Sequence, residues 1–277
     1  MSANRANIGW HLANMTDNER LAAGSASGTG PSPKIWSDCP VLSIMMNPQK
    51  GFYYFNDFLQ NGTLTAGTVL NGLLLTQNTS EGTVANDPTV QGGVILISAA
   101  STSAAKGPTL QIVGCGVKPE PSTIIRMEWR CRVSKDAARI FMGLCDDSET
   151  AIVADDSIVT GKDIAGFMRD SGTGSTDWSC VVSDGTNQGE ADDKCLSVAT
   201  AYEKYGIVIY GDGTVAGDKV EFWHDGELVY TENTLNRIPD AVITPVFVAC
   251  GDGADQPVIH LDWIRIVVEN QNDGSRI

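Results

Sequence analysis

Three acidic loops carry the residue types most able to hold a ligand. Asp212 and Asp218 stand in Gly211-Asp212-Gly213 and Gly217-Asp218, and Asp252 and Asp255 in Gly251-Asp252-Gly253-Ala254-Asp255. Carboxylate oxygens grouped in this way could coordinate calcium, a hard cation that takes oxygen ligands. The same Asp-Gly pairs make tight turns without any ion, because glycine tolerates positive φ and aspartate bonds to nearby backbone. Calcium is the one cofactor that the sequence suggests. A sugar site would also want an exposed ring for stacking, and Trp178 and Trp223 are candidates for that role or for the core.

Other chemistry finds little support. Asp170-Ser171-Gly172-Thr173 matches the core of an aspartic protease site, but Arg169 precedes it and no second copy follows, so it reads as a loop. There is no GxSxG elbow, and Thr160-Gly161-Lys162-Asp163 lacks the upstream glycine and the hydroxyl residue of a phosphate-binding loop. His11, His224 and His260 are the only histidines, and none pairs with another at metal-ligand spacing. The seven cysteines form no CxxC pair, and several sit inside apolar runs, as buried free thiols do. Cys180 and Cys195 flank a polar loop and could pair. No catalytic residue is assigned, and the chain reads as a non-enzyme.

The formal charge of −15 repels phosphate backbones and anionic membranes. The densest basic stretch, Arg126 to Arg132, alternates with apolar residues and Glu128 as one face of a strand would. Neither nucleic acid nor membrane is therefore an expected partner. No apolar stretch approaches the roughly 20 residues of a membrane-spanning helix. The start, Met1-Ser2-Ala3-Asn4-Arg5, lacks the features of a signal peptide. Synthesis and folding in a cytoplasm are expected.

The elements that must position these residues fall into two regions. Residues 1–50 read as an irregular arm. Thr16-Asp17-Asn18-Glu19 is a capping box for a short helix, GSASGTGPSP from Gly24 is a connector, and Val41 to Met46 is an apolar patch ended by Asn47-Pro48. Trp10, Trp36, Ile44, Met45 and Met46 are candidate anchors for a neighbouring subunit, although the arm could equally pack on its own domain. Residues 51–277 follow a period of two. Ile125, Met127, Trp129, Cys131 and Val133 alternate with Arg126, Glu128, Arg130 and Arg132, the pattern of a half-buried strand. Asp225-Gly226 joins VEFWH to ELVY as a two-residue hairpin. In the last strand the apolar set Ile259, Leu261 and Trp263 shifts to Ile264, Ile266 and Val268, which predicts a bulge or a strand covered on both sides. About a dozen short strands with turn signals predict an all-β, two-sheet antiparallel sandwich.

The hairpin VEFWHDGELVY and the terminal strand VIHLDWIRIVVE resemble those of concanavalin A-like and laminin-G-like jelly rolls. The segment GFYYFNDFL, from Gly51, resembles the opening strand of jelly-roll proteins encoded near the capsid genes of tailed phages. The first resemblance implies a jelly roll over residues 51–270. Glycoside hydrolases of this superfamily carry a Glu-x-Asp-x-Glu strand, which is absent here; Glu128 is followed by Trp129-Arg130. The second resemblance, with the acidity and the arm, implies a structural bacteriophage protein. It would be a decoration or cement protein on the outer capsid surface, bound to the major capsid protein and to itself, as a trimer by analogy. The alternative is a glycan-binding, lectin-like tail adhesin.

Overall fold

A computed structural model describes residues 30–59, 64, 69–70, 72–76, 82–90, 93–100, 107–134, 139–146, 153–154, 157–158, 161–169, 177–196, 201–251 and 256–270. The expected all-β sandwich is what forms: two antiparallel sheets of eight strands each. Sheet I runs β16 (Glu227–Glu232), β15 (Lys219–His224), β14 (Glu203–Tyr210), β7 (Thr123–Val133), β18 (Val258–Asn270), β5 (Ile95–Ala99) and β4 (Gly82–Asn86), and β1 (Gly51–Asn56) also pairs with β18. Sheet II runs β13 (Gln188–Leu196), β12 (Asp177–Asp184), β11 (Asp163–Arg169), β8 (Arg139–Asp146), β17 (Ile243–Cys250), β6 (Thr109–Ile112), β3 (Leu73–Thr76) and β2 (Val69–Leu70). A small ribbon joins β9 (Val153–Ala154) to β10 (Ser157–Ile158). Among the described residues two short helices, α1 (Pro33–Trp36) and α2 (Val41–Met46), precede β1.

The period of two sets the core. Ile125, Met127, Trp129, Cys131 and Val133 of β7 meet Ile140, Met142 and Leu144 of β8 across the gap between the sheets. Trp129 stacks on Tyr205 at 5.9 Å and meets Phe167 and Phe247 edge-on at 5.9 and 5.8 Å. Offset and edge-to-face rings of this kind hold together beyond their buried area. All seven cysteines are buried and free, including Cys180 and Cys195 on neighbouring strands.

Two expected local features are present. Asp225 and Gly226 take φ of 47° and 78°, the double positive φ of a type I′ hairpin. The register of β18 against β7 slips between Leu261 and Trp263, and that bulge moves the inward set from Ile259 and Leu261 to Ile264 and Ile266.

One expectation needs correcting. Strand β7 is not half-buried, since Arg126 and Glu128 on its outer face are also shielded from solvent. The cover comes from α1 and α2. Ile35, Trp36, Cys39, Val41 and Ile44 form a separate apolar cluster with Ile124, Val208 and Val267 on the outside of sheet I.

Candidate functional site

The outer face of sheet I has two halves. Along β7 the even-numbered side chains point outward, away from the core. Arg126 and Glu128 lie beneath the helices, and Arg130 and Arg132 lie beyond them. Lys204, the register partner of Arg130, marks the boundary, where its Nζ donates to the carbonyl of Gly30 at 3.2 Å.

In the covered half, Glu128 organises the contact. The amide of Ser32 donates to both of its carboxylate oxygens at 3.0 Å, and the Trp36 indole Nε1–H donates to Oε2 at 2.5 Å. Burial pushes the Glu128 carboxyl above its ordinary range, while the Ser32 and Trp36 bonds and the nearby Lys204 ammonium pull the other way. The Arg265 guanidinium lies 4.9 Å from the Trp36 ring centroid, and Lys34 pairs with Glu227 at 2.5 Å on the rim. Gly206 makes room for the knob: a Cβ there would sit 2.5 Å from Cδ1 of Ile35.

The open half carries a polar and aromatic patch. Two arginines share one ring, with the Arg130 and Arg132 guanidinium carbons 4.4 and 5.4 Å from the centroid of Tyr202. Arg130 bonds to Asp262. Arg132 Nη2 lies 3.0 and 3.2 Å from the two ring nitrogens of His260, and Asp87 Oδ2 lies 3.6 Å from His260 Nδ1. A guanidinium only donates, so the ring nitrogen that bonds to Arg132 is the unprotonated one. Burial and the Arg132 charge lower the His260 pKa, against the opposite pull of Asp87. The imidazole is therefore neutral at neutral pH. Burial raises the Tyr202 phenol, and its hydroxyl has no hydrogen-bond partner. The Arg130 and Asp262 side chains are the more open of the patch, at 18% and 21% exposed, and Asp87, at 7%, lies at its floor. Donors, acceptors and a ring on one face can recognise a hydroxyl-rich molecule.

The expected site residues fare differently. Asp212 Oδ1 accepts from the amide and hydroxyl of Thr214, and Asp218 Oδ2 accepts from the amides of Gly213 and Val215. Those bonds are the turn-making use of the two aspartates, and among the described residues no cluster is suited to hold a metal ion. Asp252 and Asp255 lie outside the described residues, as do Trp10, the capping box and Asp170 to Thr173. Trp36 and Ile44 are 1% and 2% exposed, so they are seated on the chain's own sheet rather than offered to a neighbour. Met45 and Met46 remain 50% and 78% exposed. Trp178 is enclosed in the core, and Trp223 packs beside the helices. His260, on β18, points out of the core and meets Arg132 of β7 and Asp87 of the loop after β4.

Similar architectures are found among solved structures. Lectin I from Ulex europaeus, in complex with the methyl glycoside of alpha-L-fucose, is 8% identical, with 80% of this chain and 100% of that chain covered and a TM-score of 0.52. Emp46p carbohydrate recognition domain, in its potassium-bound form, is 9% identical over 79% of this chain and 97% of that one, with a TM-score of 0.51. Peanut lectin is 10% identical over 79% and 97%, with a TM-score of 0.50. The fold is the lectin-like jelly roll. No family model and no curated protein matches the chain. Identities this low speak for the fold, and the chemistry must be argued from the side chains.

Sequence reasoning passed over Tyr202, Arg132 and Asp87 as site residues. The alternation along β7 puts Arg130 and Arg132 on one face, which was a usable signal. Nothing local places Tyr202 or Asp87 beside them, because they reach the patch from loops that precede β14 and follow β4.

Proposed function

We propose that the protein is a non-catalytic carbohydrate-binding jelly roll whose ligand meets the open half of sheet I. The observation that carries this reading is the patch of Arg130, Arg132, Tyr202, His260, Asp262 and Asp87, set on a fold whose similar structures are lectins and a carbohydrate recognition domain. Guanidinium and carboxylate side chains make paired hydrogen bonds to neighbouring hydroxyls, and their half-burial limits the entropy lost when a ligand arrives.

A glycan array probed with the full chain tests it, followed by calorimetry on any hit. Binding that falls at least about tenfold in Arg132→Ala, with the oligosaccharide recovered uncleaved, supports the reading; a factor of ten corresponds to about 1.4 kcal/mol. Binding unchanged in Arg132→Ala and Asp262→Ala would move the ligand elsewhere. No binding to any glycan would remove the reading.

A second reading, the decoration protein on the outside of a phage capsid, draws on the exposure of Met45 and Met46 at the end of α2. Methionines are adaptable contact residues. Copy number in purified particles, measured against the major capsid protein, tests it. Hundreds of copies support it, and absence from particles removes it.

A further inference from the structure

Residues 32–47 bury one apolar face against sheet I yet belong to neither sheet. Their described backbone hydrogen bonds close on themselves: Ile35 N to Ser32 O, Cys39 N to Trp36 O, Val41 N to Cys39 O, Ile44 N to Pro40 O and Asn47 N to Ser43 O. Among the described residues the segment adds no rung to either ladder. Its apolar side chains pack in a cluster that shares no residue with the core between the sheets.

The contact also carries its own opposition. Closing it buries the Glu128 carboxylate and the Lys204 ammonium, both almost fully shielded. Taking two ions out of water opposes the apolar gain from Ile35, Trp36, Val41 and Ile44. Opening returns both ions to water and breaks no strand pairing. It gives up the apolar cluster and the hydrogen bonds of Ser32, Trp36 and Lys204.

We infer that residues 32–47 form a strap that opens and closes over sheet I as one unit while the sandwich stays folded, with Glu128 as its latch. Partial opening of this kind draws on elements that few tertiary hydrogen bonds tie down. The open state bares Glu128, Lys204 and the hollow at Gly206, and it releases Cys39. The inference stands apart from the carbohydrate reading, which concerns the other half of the face.

Cys39 is the reporter. Its thiol is buried in the strap and pushed up to about 11, chiefly by burial, so alkylation near neutral pH requires opening. Cys131 lies between the sheets and requires unfolding. The full chain is exposed to N-ethylmaleimide in sub-denaturing urea, and each cysteine peptide is followed by mass spectrometry. We expect Cys39 to react at least about tenfold faster than Cys131, with a rate nearly flat in urea, since denaturant sensitivity scales with the surface exposed. The Cys131 rate should climb steeply with urea. Trp36→Ala and Glu128→Ala should each raise the Cys39 rate at least about fivefold and the Cys131 rate by no more than the same factor, so that Cys39 stays the faster of the two. If Cys39 and Cys131 of the unaltered chain share one rate and one urea dependence, the strap opens only when everything does and the inference is wrong. That comparison needs no variant, so a variant that fails to fold does not weaken it.

Discussion

Along the outer face of β7, Arg126 and Glu128 differ from Arg130 and Arg132 in one respect, the presence of a strap above them. All four follow the same alternation and would look equally solvated in a bare sheet. Under the strap the polar groups are locked into specific partners: Arg126 pairs with Glu269 at 2.8 Å, and Glu128 takes the Ser32 and Trp36 donors. Outside it, Arg130 pairs with Asp262 and Arg132 with His260 just as specifically, and what differs is that Arg130 keeps more contact with solvent than Arg126 does. Burial, more than residue type, decides which half is structural and which is available to a ligand.

The largest effects should separate the core from the strap. Trp129→Ala empties the centre of the aromatic cluster and should cost about 3–5 kcal/mol in urea unfolding. Trp36→Ala removes an equally large and equally buried ring, yet should cost less than half as much. The strap can detach, which caps the loss at its own docking free energy. Equal losses for the two tryptophans would merge the strap with the core.

Next come the two halves themselves. Glu128→Ala strands the Ser32 amide and the Trp36 indole without an acceptor and removes a carboxylate near the buried Lys204, at a cost of up to about 2 kcal/mol, capped as for Trp36→Ala by the docking free energy of the strap. Arg132→Ala, on the open half, should stay within about 1 kcal/mol. Gly206→Ala should fall between them at about 1–2 kcal/mol, because its methyl group would displace Ile35 and the strap's detachment caps the loss. Similar losses for Glu128→Ala and Arg132→Ala would erase the distinction.

The halves should also answer to pH with opposite signs. Burial raises the Glu128 pKa in the folded state. The folded protein therefore binds more protons than the unfolded chain, and the stability linked to Glu128 is full below its ordinary pKa and is lost as pH rises through the folded value. Burial and Arg132 lower the His260 pKa. The stability linked to His260 is full above its ordinary value of 6.5 and is lost as pH falls through the folded one. Unfolding curves of Glu128→Gln and His260→Gln across pH 4–8 should each remove one slope and leave the other. Slopes of the same sign would overturn the assignment of burial as the leading cause in one half.

Much of the sandwich could be read directly. The inward residues of β7, the Asp225-Gly226 hairpin and the slip in β18 are local patterns, and local pattern governs them. The strap could not be read in the same way. Trp36 and Ile44 look like anchors from sequence, but whether an anchor closes on its own chain depends on a hollow at Gly206, far away in sequence and visible only after folding. The alternation of arginine and glutamate in β7 misled for the same reason, since a charged residue covered by an apolar strap that brings its own hydrogen-bond donors has the sequence signature of a solvated one. Asp212 and Asp218 had two readings, and their carboxylates are engaged by backbone amides of their own loop.

The smallest effect tests the open half most sharply. Tyr202 holds its ring against two arginines, but its hydroxyl has no partner, so Tyr202→Phe should change stability by no more than about 0.5 kcal/mol. Removing a hydroxyl that nothing satisfies can even stabilise slightly, because its desolvation goes uncompensated. The hydroxyl is closed off from solvent, so a glycan on the open half meets the ring and its arginines rather than this oxygen, and its affinity should stay within a factor of about two in Tyr202→Phe. Tyr202→Ala, which takes the ring from both arginines, should lower that affinity at least about tenfold. If Tyr202→Ala leaves affinity unchanged, the ring belongs to the scaffold, and the open half is no more a binding face than the covered one.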